Sequence, residues 1–364
     1  MMGLPADLAI GALIDPAALT RLTLPEWDRL LRQARKAEVL ARIAALARAR
    51  GLMDRLPPAP RAHLDAEWQV AAAQHDETCR EIERIRLALA GVPGLTTVLL
   101  KGAAYLLADA PAALGRTFSD VDILVPYARL PEVEAALMLH GWATTHHSAY
   151  DQKYYRLWMH ELPPMQHVQR ETVIDVHHAI LPRTARLKPD SAKLLAAARA
   201  LPGHPGLAVL APADMILHSI THLVHNEELS HGLRDLSDID LLLRHHGRDA
   251  GFWDALIVRA RELDLARPLH YGLRQAHALL ATPVPAPVLA AAAAAAPPPW
   301  RNALMDGLWQ RALRSPHATT ADRLTPLARF ALYVRAHSLR MPPLALARHL
   351  TIKAFRRSSP EPGA

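Results

Sequence analysis

The sequence is poor in cysteine and in aromatic residues. It has 364 residues but only one cysteine, Cys79, and aromatic side chains make up only 5% of it. A single cysteine excludes an internal disulfide framework and is typical of proteins that work in a reducing compartment. The low aromatic content, together with the lack of a recognisable RNA-binding module, counts against a protein that stacks the bases of single-stranded RNA.

Long apolar runs are also missing. No segment reaches the roughly 18 to 20 charge-free apolar residues that a membrane-spanning helix requires. Near the N-terminus, Pro5, Asp7 and Asp15 interrupt the apolar residues, and no basic segment precedes them, so this stretch does not resemble a signal peptide. We therefore expect no membrane partner and a cytoplasmic location.

The charge balance is basic. Charged residues make up 21% of the chain and hydrophobic residues 51%, which is typical of a globular protein and not of a disordered one. Lys and Arg number 42 against 35 for Asp and Glu, a net charge of +7 that favours polyanions or phosphorylated ligands. The arginines are spread along predicted helices, so a solvated arginine-rich surface is the simpler interpretation than a nucleic-acid stripe.

Hydrophobic periodicity divides the chain into four parts. Apolar residues at helical spacing predict a helical N-terminal lobe over residues 1–92, including a long helix from about Arg61 to Ala90. Residues 93–182 alternate short apolar runs with turns and helices, which predicts a mixed sheet. Helical patterns return over residues 183–355, and the tail 356–364 is predicted to be disordered. The expected fold class is α+β, with a mixed β-sheet core between two helical lobes.

Four strands are predicted within the core. They are the apolar run LTTVLL at residues 95–100, residues 120–125, the region around Tyr154–Met159, and residues 172–176. Between the second and third strands, Pro131 is placed to open a helix and Gly141 to end it.

Two aspartates lie two residues apart in GRTFSDVDILV, residues 115–125. The β-branched residues of this segment predict a strand, and on a strand Asp120 and Asp122 share one face. A second D-x-D pair, Asp238 and Asp240, lies in an apolar series at helical spacing, where its carboxylates point in different directions. Only the first pair can bind the same ion.

Three segments taken together resemble a known superfamily. VLLKGAAYLL, GRTFSDVDILV and VIDVHHAI resemble the nucleotidyltransferases, and in particular a bacterial branch of uncharacterised nucleotidyltransferases. The shared features are a Lys-Gly turn, an arginine before D-x-D, and Asp-x-His on a later strand, within residues 96–181. The resemblance implies a nucleotidyltransferase-like core and transfer of NMP from an NTP donor to a hydroxyl acceptor, with release of pyrophosphate.

The resemblance also implies a metal site. Asp120 and Asp122 would bind Mg²⁺, with two ions expected, and Asp175 from another strand would complete the site and accept the proton of the attacking hydroxyl. Mg²⁺ prefers oxygen ligands, and two such ions can assist both the attacking and the leaving oxygen. Strand alternation places Asp175 and His177 on the same face. His177 could orient Asp175, contact the nucleotide, or be purely structural.

By the same resemblance, Lys101, Gly102 and Arg116 would hold the triphosphate. A glycine at a strand-to-helix turn lets backbone amides approach phosphate oxygens, and the two basic side chains add charge. One departure is that Ala103 and Ala104 follow Gly102, where most members of the superfamily carry a glycine or a serine. Either the basic residues compensate for the missing hydroxyl or triphosphate binding is weak.

Histidines at helical spacing form a further candidate site. His218, His222 and His225 would line one face of a helix, a layout that can bind zinc. The alternatives are a histidine-rich polar face, or a face that lines the nucleotide cleft. Asp235 and Asp238 are expected to be helix-surface or salt-bridging residues.

Three function classes stay open at the level of sequence. The first is a Mg²⁺-dependent nucleotidyltransferase with a small-molecule or protein acceptor, an RNA end being less favoured. The second is a catalytically weak nucleotide-binding or scaffold protein on the same fold, since fold does not fix function. The third is an antitoxin-like AMP transferase that acts on a partner protein.

Overall fold

Seven short strands form one mixed sheet in the part of the chain described by the computed structural model, residues 4–145 and 148–340. The strands are β1 Thr97–Leu99, β2 Asp120–Leu124, β3 Trp142–Thr144, β4 Met165–His167, β5 Val173–His177, β6 Arg199–Ala200 and β7 Leu207–Val209. Their order across the sheet is β3-β4-β5-β2-β1-β7-β6.

The middle of the sheet sets the register of the acidic residues. β2 pairs in parallel with β5, and Asp122 lies directly opposite Asp175 in that ladder. On its other side β2 pairs antiparallel with β1, which pairs in parallel with β7. The outer pairs, β3 with β4, β4 with β5 and β6 with β7, are antiparallel. Val121 and Ile123 of β2 are buried, so the apolar residues hold the strand in the core.

Helices make up most of the rest of the described chain. Before the sheet lie α1 Leu8–Ile14, α2 Leu24–Lys36, α3 Leu40–Ala49 and α4 Pro58–Leu89. Between its strands lie α5 Lys101–Leu107, α6 Leu130–Leu139, α7 Ala149–Trp158 and α8 Ser191–Ala196. After it follow α9 Pro212–His225, α10 Gly232–His246, α11 Phe252–Glu262, α12 Ala266–Leu280, α13 Ala286–Ala293, α14 Pro299–Ala312 and α15 Thr325–Arg340. A mixed sheet flanked by helices on both sides in sequence confirms the predicted α+β fold.

Local sequence signals explain several of these boundaries. Thr23 and Glu26 form a capping box at the start of α2, which satisfies amide groups that have no partner within the helix. α4 begins at Pro58, three residues before the predicted start, because proline is well suited to a first helical turn. Pro131 lies in the first turn of α6, and Gly141 just beyond its end has a φ of 94°.

The strand predicted around Tyr154–Met159 is wrong, because this segment belongs to helix α7. The aromatic residues that suggested a strand instead pack along the helix: the rings of Tyr154 and Trp158, four residues apart, have centroids 5.9 Å apart. Arg156 also donates two hydrogen bonds to Glu134 of α6, at 2.9 and 2.6 Å. Contacts at helical spacing and across helices thus outweigh the strand propensity of the aromatic side chains.

The structure tests one end of the predicted C-terminal region and not the other. β6 and β7 fall between residues 199 and 209, after the predicted end of the core at residue 182, and they extend the same sheet. The predicted disordered tail 356–364 lies outside the described residues. The division into lobes over residues 1–92, 93–182 and 183–355 stays a prediction. Among the described helices, none has both the length and the apolar character needed to cross a membrane.

Candidate functional site

The acidic site is built where β2 and β5 lie side by side. Because Asp122 and Asp175 are opposite each other in a parallel ladder, both side chains project from the same face of the sheet. Ligand atoms of Asp122, Asp175 and His177 lie within 4.8 Å of one another. The structure therefore brings together two of the three predicted acidic residues and the predicted histidine.

Asp122 is buried and is contacted by two cationic side chains. Its Oδ1 accepts hydrogen bonds from Lys101 Nζ at 2.7 Å and from His177 Nε2 at 2.9 Å. Burial opposes the ionisation of this carboxyl, but the Lys101 charge and the His177 hydrogen bond outweigh burial and hold the pKa of Asp122 well below its usual range. Asp122 is thus a permanent carboxylate, and both donors use the same oxygen.

Asp175 is held in a different electrostatic environment. Its Oδ1 is buried and has no hydrogen-bond partner among the described residues. Burial, followed by the nearby negative charges of Asp122 and Glu161, raises the pKa of Asp175 to about 7. An unpartnered carboxylate oxygen of this kind is costly unless it serves a ligand or accepts a proton.

Asp120 lies at the first residue of β2, at the edge of the site. Ser119 Oγ donates a hydrogen bond to its Oδ1 at 3.0 Å. Burial, together with the charge of Asp122, raises the pKa of Asp120 above its ordinary value. Its carboxylate is not part of the close group formed by Asp122, Asp175 and His177, but it lines the cavity beside that group.

The turn between β1 and α5 brings Lys101 into the site. Lys101 has a φ of 46°, in the left-handed region that residues other than glycine seldom adopt. Such local strain persists only where surrounding contacts fix it, and the ion pair with Asp122 is one of them. The pKa of Lys101 is raised, because the charges of Asp122 and Asp120 outweigh the opposing effect of burial.

Gly102 is required by close packing. A Cβ atom at this position would lie 2.3 Å from Arg116 Nη1 and 2.6 Å from the ring of Phe118. Arg116 in turn is fixed by Asp238 of α10, whose Oδ2 accepts a hydrogen bond from Nε at 2.9 Å. The guanidinium lies over the rings of Tyr105 and Phe118, with its central carbon 5.8 and 5.4 Å from their centroids. The guanidinium of Arg116 is therefore held in place before any ligand binds, through the hydrogen bond from its Nε to Asp238.

A cavity of about 400 Å³ joins these residues to the helices that follow the sheet. Its lining includes Lys101, Gly102, Arg116, Asp120 and Asp122 from the predicted site. The other lining residues are Glu38, Gln74, Tyr105, Thr117, Phe118, Ser119, Ser219, His222, Asn226, His231, Arg234, Asp235 and Asp238. The cavity therefore has one wall from the sheet and its turns and another from α9 and α10.

The histidine series on α9 does not form a common site. His222 lines the cavity, whereas His218 and His225 are buried, and His225 contacts the carbonyl of Thr221 at 3.0 Å through Nδ1. Burial lowers the pKa of His218 to about 3 and that of His225 to about 4, so both rings are neutral. Within the described ranges, no group of metal-ligand atoms joins these three histidines, so the zinc alternative has no geometric support here.

The second D-x-D pair behaves as its helical spacing predicts. Asp238 pairs with Arg116 and with Arg42 of α3, whose Nη2 lies 2.7 Å from Asp238 Oδ1. Asp240 accepts hydrogen bonds from Arg244 and Thr282 instead, at 2.7 and 2.6 Å. Asp238 is confirmed as a salt-bridging residue, and it supports the cavity wall through Arg116.

Sequence reasoning missed Glu161 and His160. Glu161 lies after α7 in an irregular segment and forms an isolated β-bridge with His177. Its Oε2 is 3.2 Å from His177 Nδ1, so His177 lies between Glu161 and Asp122. The charge of Glu161 and the hydrogen bond to Asp122 outweigh the opposing effect of burial and raise the pKa of His177. One predicted role of His177 was to orient Asp175. Its hydrogen bond instead orients Asp122.

The comparison with known families agrees with this geometry. A family model described as uncharacterised nucleotidyltransferase matches residues 23–281, well over half of the chain. The matched region includes the sheet, the Lys-Gly turn and the helices α9 and α10 that close the cavity. No match was found to a curated protein or to a solved structure. The chain belongs to the family of uncharacterised nucleotidyltransferases and is a transferase enzyme.

Proposed function

We propose that the protein transfers NMP from an NTP to a hydroxyl group in a Mg²⁺-dependent reaction that releases pyrophosphate. The observation that carries the proposal is the pairing of Asp122 and Asp175 across β2 and β5, with Asp175 Oδ1 buried and without a hydrogen-bond partner in the described ranges. One permanent carboxylate lies beside one that titrates near neutral pH. Neighbouring acids with separated pKa values are typical of sites in which one binds charge and the other moves a proton.

The donor atoms fit Mg²⁺. This ion takes oxygen ligands; ligand oxygens of Asp122 and Asp175 lie within 4.8 Å of each other, and Asp120 and Asp122 line the cavity beside them. Lys101 and His177 both donate their hydrogen bonds to Asp122 Oδ1. No described residue donates to the other carboxylate oxygen, Oδ2. Bound Mg²⁺, with two ions expected, would supply charge neutralisation for the triphosphate and for the reacting oxygens.

The basic residues of the cavity support binding of the triphosphate. Lys101 and Arg116 provide two cations on either side of Gly102, and the glycine leaves room that a side chain would fill. Arg116, which lines the cavity, is held by the hydrogen bond from Nε to Asp238 and by one from Nη1 to the carbonyl of Thr117 at 3.3 Å. Lys101 and Arg116 thus supply positive charge near the turn where Ala103 and Ala104 provide no hydroxyl group.

In the reaction, the acceptor oxygen forms a bond to the α-phosphorus and the bond from that phosphorus to the pyrophosphate oxygen breaks. Asp175 Oδ1 would take the proton of the acceptor hydroxyl, because its pKa of about 7 suits a general base at neutral pH. Asp122, fixed by Lys101 and His177, would remain ionised throughout.

For the acceptor we propose a hydroxyl of a small molecule or of a protein. The cavity of about 400 Å³ is of the size found for small-molecule sites. An RNA end is less favoured, since aromatic residues make up 5% of the chain. A catalytically weak nucleotide-binding protein, and an AMP transferase that acts on a partner protein, are the alternatives to be separated by experiment.

Pyrophosphate release from each of the four NTPs, with and without Mg²⁺, tests the proposal. We expect release from at least one NTP, and loss of release by a factor of about 100 or more in Asp122→Asn and Asp175→Asn, because each removes a carboxylate that acts in the transition state. Asp249→Asn, at an exposed carboxylate in the turn after α10, is the matched control. Nucleotide binding without release would favour the weak or scaffold class, and labelling of a co-purifying protein by AMP would favour the partner-modifying class.

A further inference from the structure

A second group of metal-ligand atoms lies on the opposite side of His177 from Asp122. The chain leaves α7 and runs beside the end of β5, where His178 N and Ala179 N donate hydrogen bonds to the carbonyl of His160, at 2.8 and 3.2 Å. This backbone pairing brings together the side chains of His160, Glu161 and His177, with ligand atoms within 4.8 Å of one another. Two imidazoles and one carboxylate thus converge on one point.

The spacing of these atoms matches a small tetrahedral ion. Glu161 Oε2 lies 3.2 Å from His177 Nδ1 and 3.8 Å from His160 Nε2. With Zn–N and Zn–O bonds of about 2.0–2.1 Å, two ligands of a tetrahedral site are about 3.3 Å apart. The two separations that involve Glu161 are therefore within about 0.5 Å of the tetrahedral value, and the ligand atoms of His160 and His177 lie within 4.8 Å of each other.

His160 has no other evident task in the described part of the chain. Its Nδ1 is buried without a hydrogen-bond partner, and Nε2 is 3.8 Å from Glu161, which is beyond hydrogen-bond distance. Buried polar side chains are nearly always partnered, by protein, water or an ion, and an ion beside Glu161 would give the ring a partner at Nε2, the nitrogen on the Glu161 side.

The environment of His177 is also typical of a metal ligand. While Nδ1 faces Glu161, the opposite nitrogen, Nε2, donates a hydrogen bond to Asp122 Oδ1 at 2.9 Å. Histidines that bind metals usually donate their second ring N–H to a carboxylate, which fixes the ring and its tautomer. Asp122 would play that supporting part here.

We propose that His160, Glu161 and His177 form a binding site for a divalent transition-metal ion of the zinc type, with a fourth position open to water or an oxygen ligand. Two imidazoles select for such an ion over Mg²⁺, which prefers an all-oxygen set. Metal binding at Nδ1 requires the ring form with its proton on Nε2, so any proton held on Nδ1 is released to solvent. This site is linked to the acidic site through the hydrogen bond from His177 to Asp122, but neither Asp120 nor Asp175 is one of its ligands, so the two proposals can be tested separately.

The test uses the full chain, stripped of metal and free of Mg²⁺ and nucleotide, titrated with Co²⁺ and then with Zn²⁺. Tetrahedral Co²⁺ absorbs visible light strongly and octahedral Co²⁺ weakly, so the spectrum reports the geometry. We expect one strongly absorbing Co²⁺ per chain, displaced by Zn²⁺. We also expect His160→Gln and Glu161→Gln each to weaken Co²⁺ binding by more than about 10-fold.

Two further variants make the result specific. His140→Gln removes an exposed histidine at the end of α6 and should leave the spectrum unchanged. Asp120→Asn should impair pyrophosphate release but keep the Co²⁺ spectrum, which separates this site from the Mg²⁺ site. Circular dichroism checks that each variant is folded. An octahedral spectrum, or a spectrum that persists in both folded variants of His160 and Glu161, overturns the proposal.

Discussion

Lys101 neutralises the acidic site when no metal is bound. Its Nζ is 2.7 Å from Asp122 Oδ1, and Asp120 and Glu161 also act on its charge. We expect Lys101→Met to leave these carboxylates unbalanced and to lower the free energy of unfolding by about 3 kcal/mol, the low end for breaking a buried pair. Added Mg²⁺ should then restore stability more strongly than in the unaltered protein.

Thermal unfolding with EDTA and with Mg²⁺ measures this effect. Lys153→Met, at an exposed position of α7, is the control and should not change the response to Mg²⁺. Equal stabilisation of Lys101→Met and the unaltered protein by Mg²⁺ would mean that lysine and metal do not compete for the same carboxylates.

Gly102 supports a second prediction at this scale. In Gly102→Ala the new methyl group meets Arg116 Nη1 at 2.3 Å and Phe118 at 2.6 Å, so at least one of these side chains must move. We expect a loss of about 1–3 kcal/mol in stability from overpacking and weaker binding of a fluorescent NTP analogue. Gly91→Ala, where a Cβ has nothing within 4 Å, is the matched control. Unchanged nucleotide affinity would show that the position of Arg116 does not matter for binding.

Sequence alone could predict the pairing of Asp122 with Asp175 but not the role of Glu161. The first prediction came from the resemblance to the nucleotidyltransferases, and strand alternation added only the face on which each side chain lies. Glu161 lies in an irregular segment that contacts β5 through a single bridge. No periodicity marks such a residue, so its position depends on how α7 and β5 pack in three dimensions.

Among the elements, α4 holds the β4–β5 hairpin through one buried carboxylate. Glu81 accepts hydrogen bonds from Arg170 Nε and Nη2, both at 2.9 Å, and from Thr172 Oγ1 at 2.7 Å. Burial alone would raise the pKa of Glu81, but these hydrogen bonds outweigh burial and lower it below the ordinary value. The ionised form is therefore the one that ties the helix to the sheet.

This contact predicts a pH-dependent stability. A lowered folded-state pKa means that the contribution of Glu81 is fully present above its ordinary pKa of 4.5 and is lost as the pH falls through the folded-state value. We expect Glu81→Gln to lower the free energy of unfolding by about 1–3 kcal/mol at pH 7. The difference should shrink as the pH falls below 4.5.

Urea unfolding at pH 7 and at acidic pH measures the effect. Glu67→Gln, in the partly exposed ion pair of α4 with Arg35, is the control and should change stability little at either pH. A penalty for Glu81→Gln that does not change with pH would assign the effect to packing and not to the charge.

The short strands were beyond sequence prediction. β3, β4 and β7 have three residues each and β6 has two, which is too short for an alternating pattern to be read. β4 and β7 form by pairing with β5 and β1 of the central sheet, and β3 and β6 in turn pair with β4 and β7. α7 was misjudged for the related reason that aromatic residues favour a strand only where the packing provides one.

For the whole molecule, Asp238 is the point where distant parts of the chain meet. Arg42 of α3 and Arg116 before β2 both pair with it, and all three side chains are buried. Arg42 Nη2 also donates to the carbonyl of Ala112 at 2.6 Å. The triad links the helices before the sheet, the core and α10.

We expect Asp238→Asn to destabilise the whole protein. It leaves two buried guanidinium groups without a counter-charge, and removal of one partner from a buried ion pair costs about 3–5 kcal/mol. Urea unfolding monitored by circular dichroism measures the shift, and the exposed Asp249→Asn serves as control. A shift of less than about 1 kcal/mol, the usual value for exposed pairs, would contradict this role.

The triad also constrains the order of events during synthesis. Arg42 and Arg116 leave the ribosome well before Asp238 does, so a nascent chain carries both arginines before their shared counter-ion exists. Until α10 has emerged, one wall of the nucleotide cavity is missing and the guanidinium of Arg116 has no anchor. A product of premature termination after residue 175 but before residue 238 is therefore expected to be inactive, even though it contains every aspartate of the acidic site.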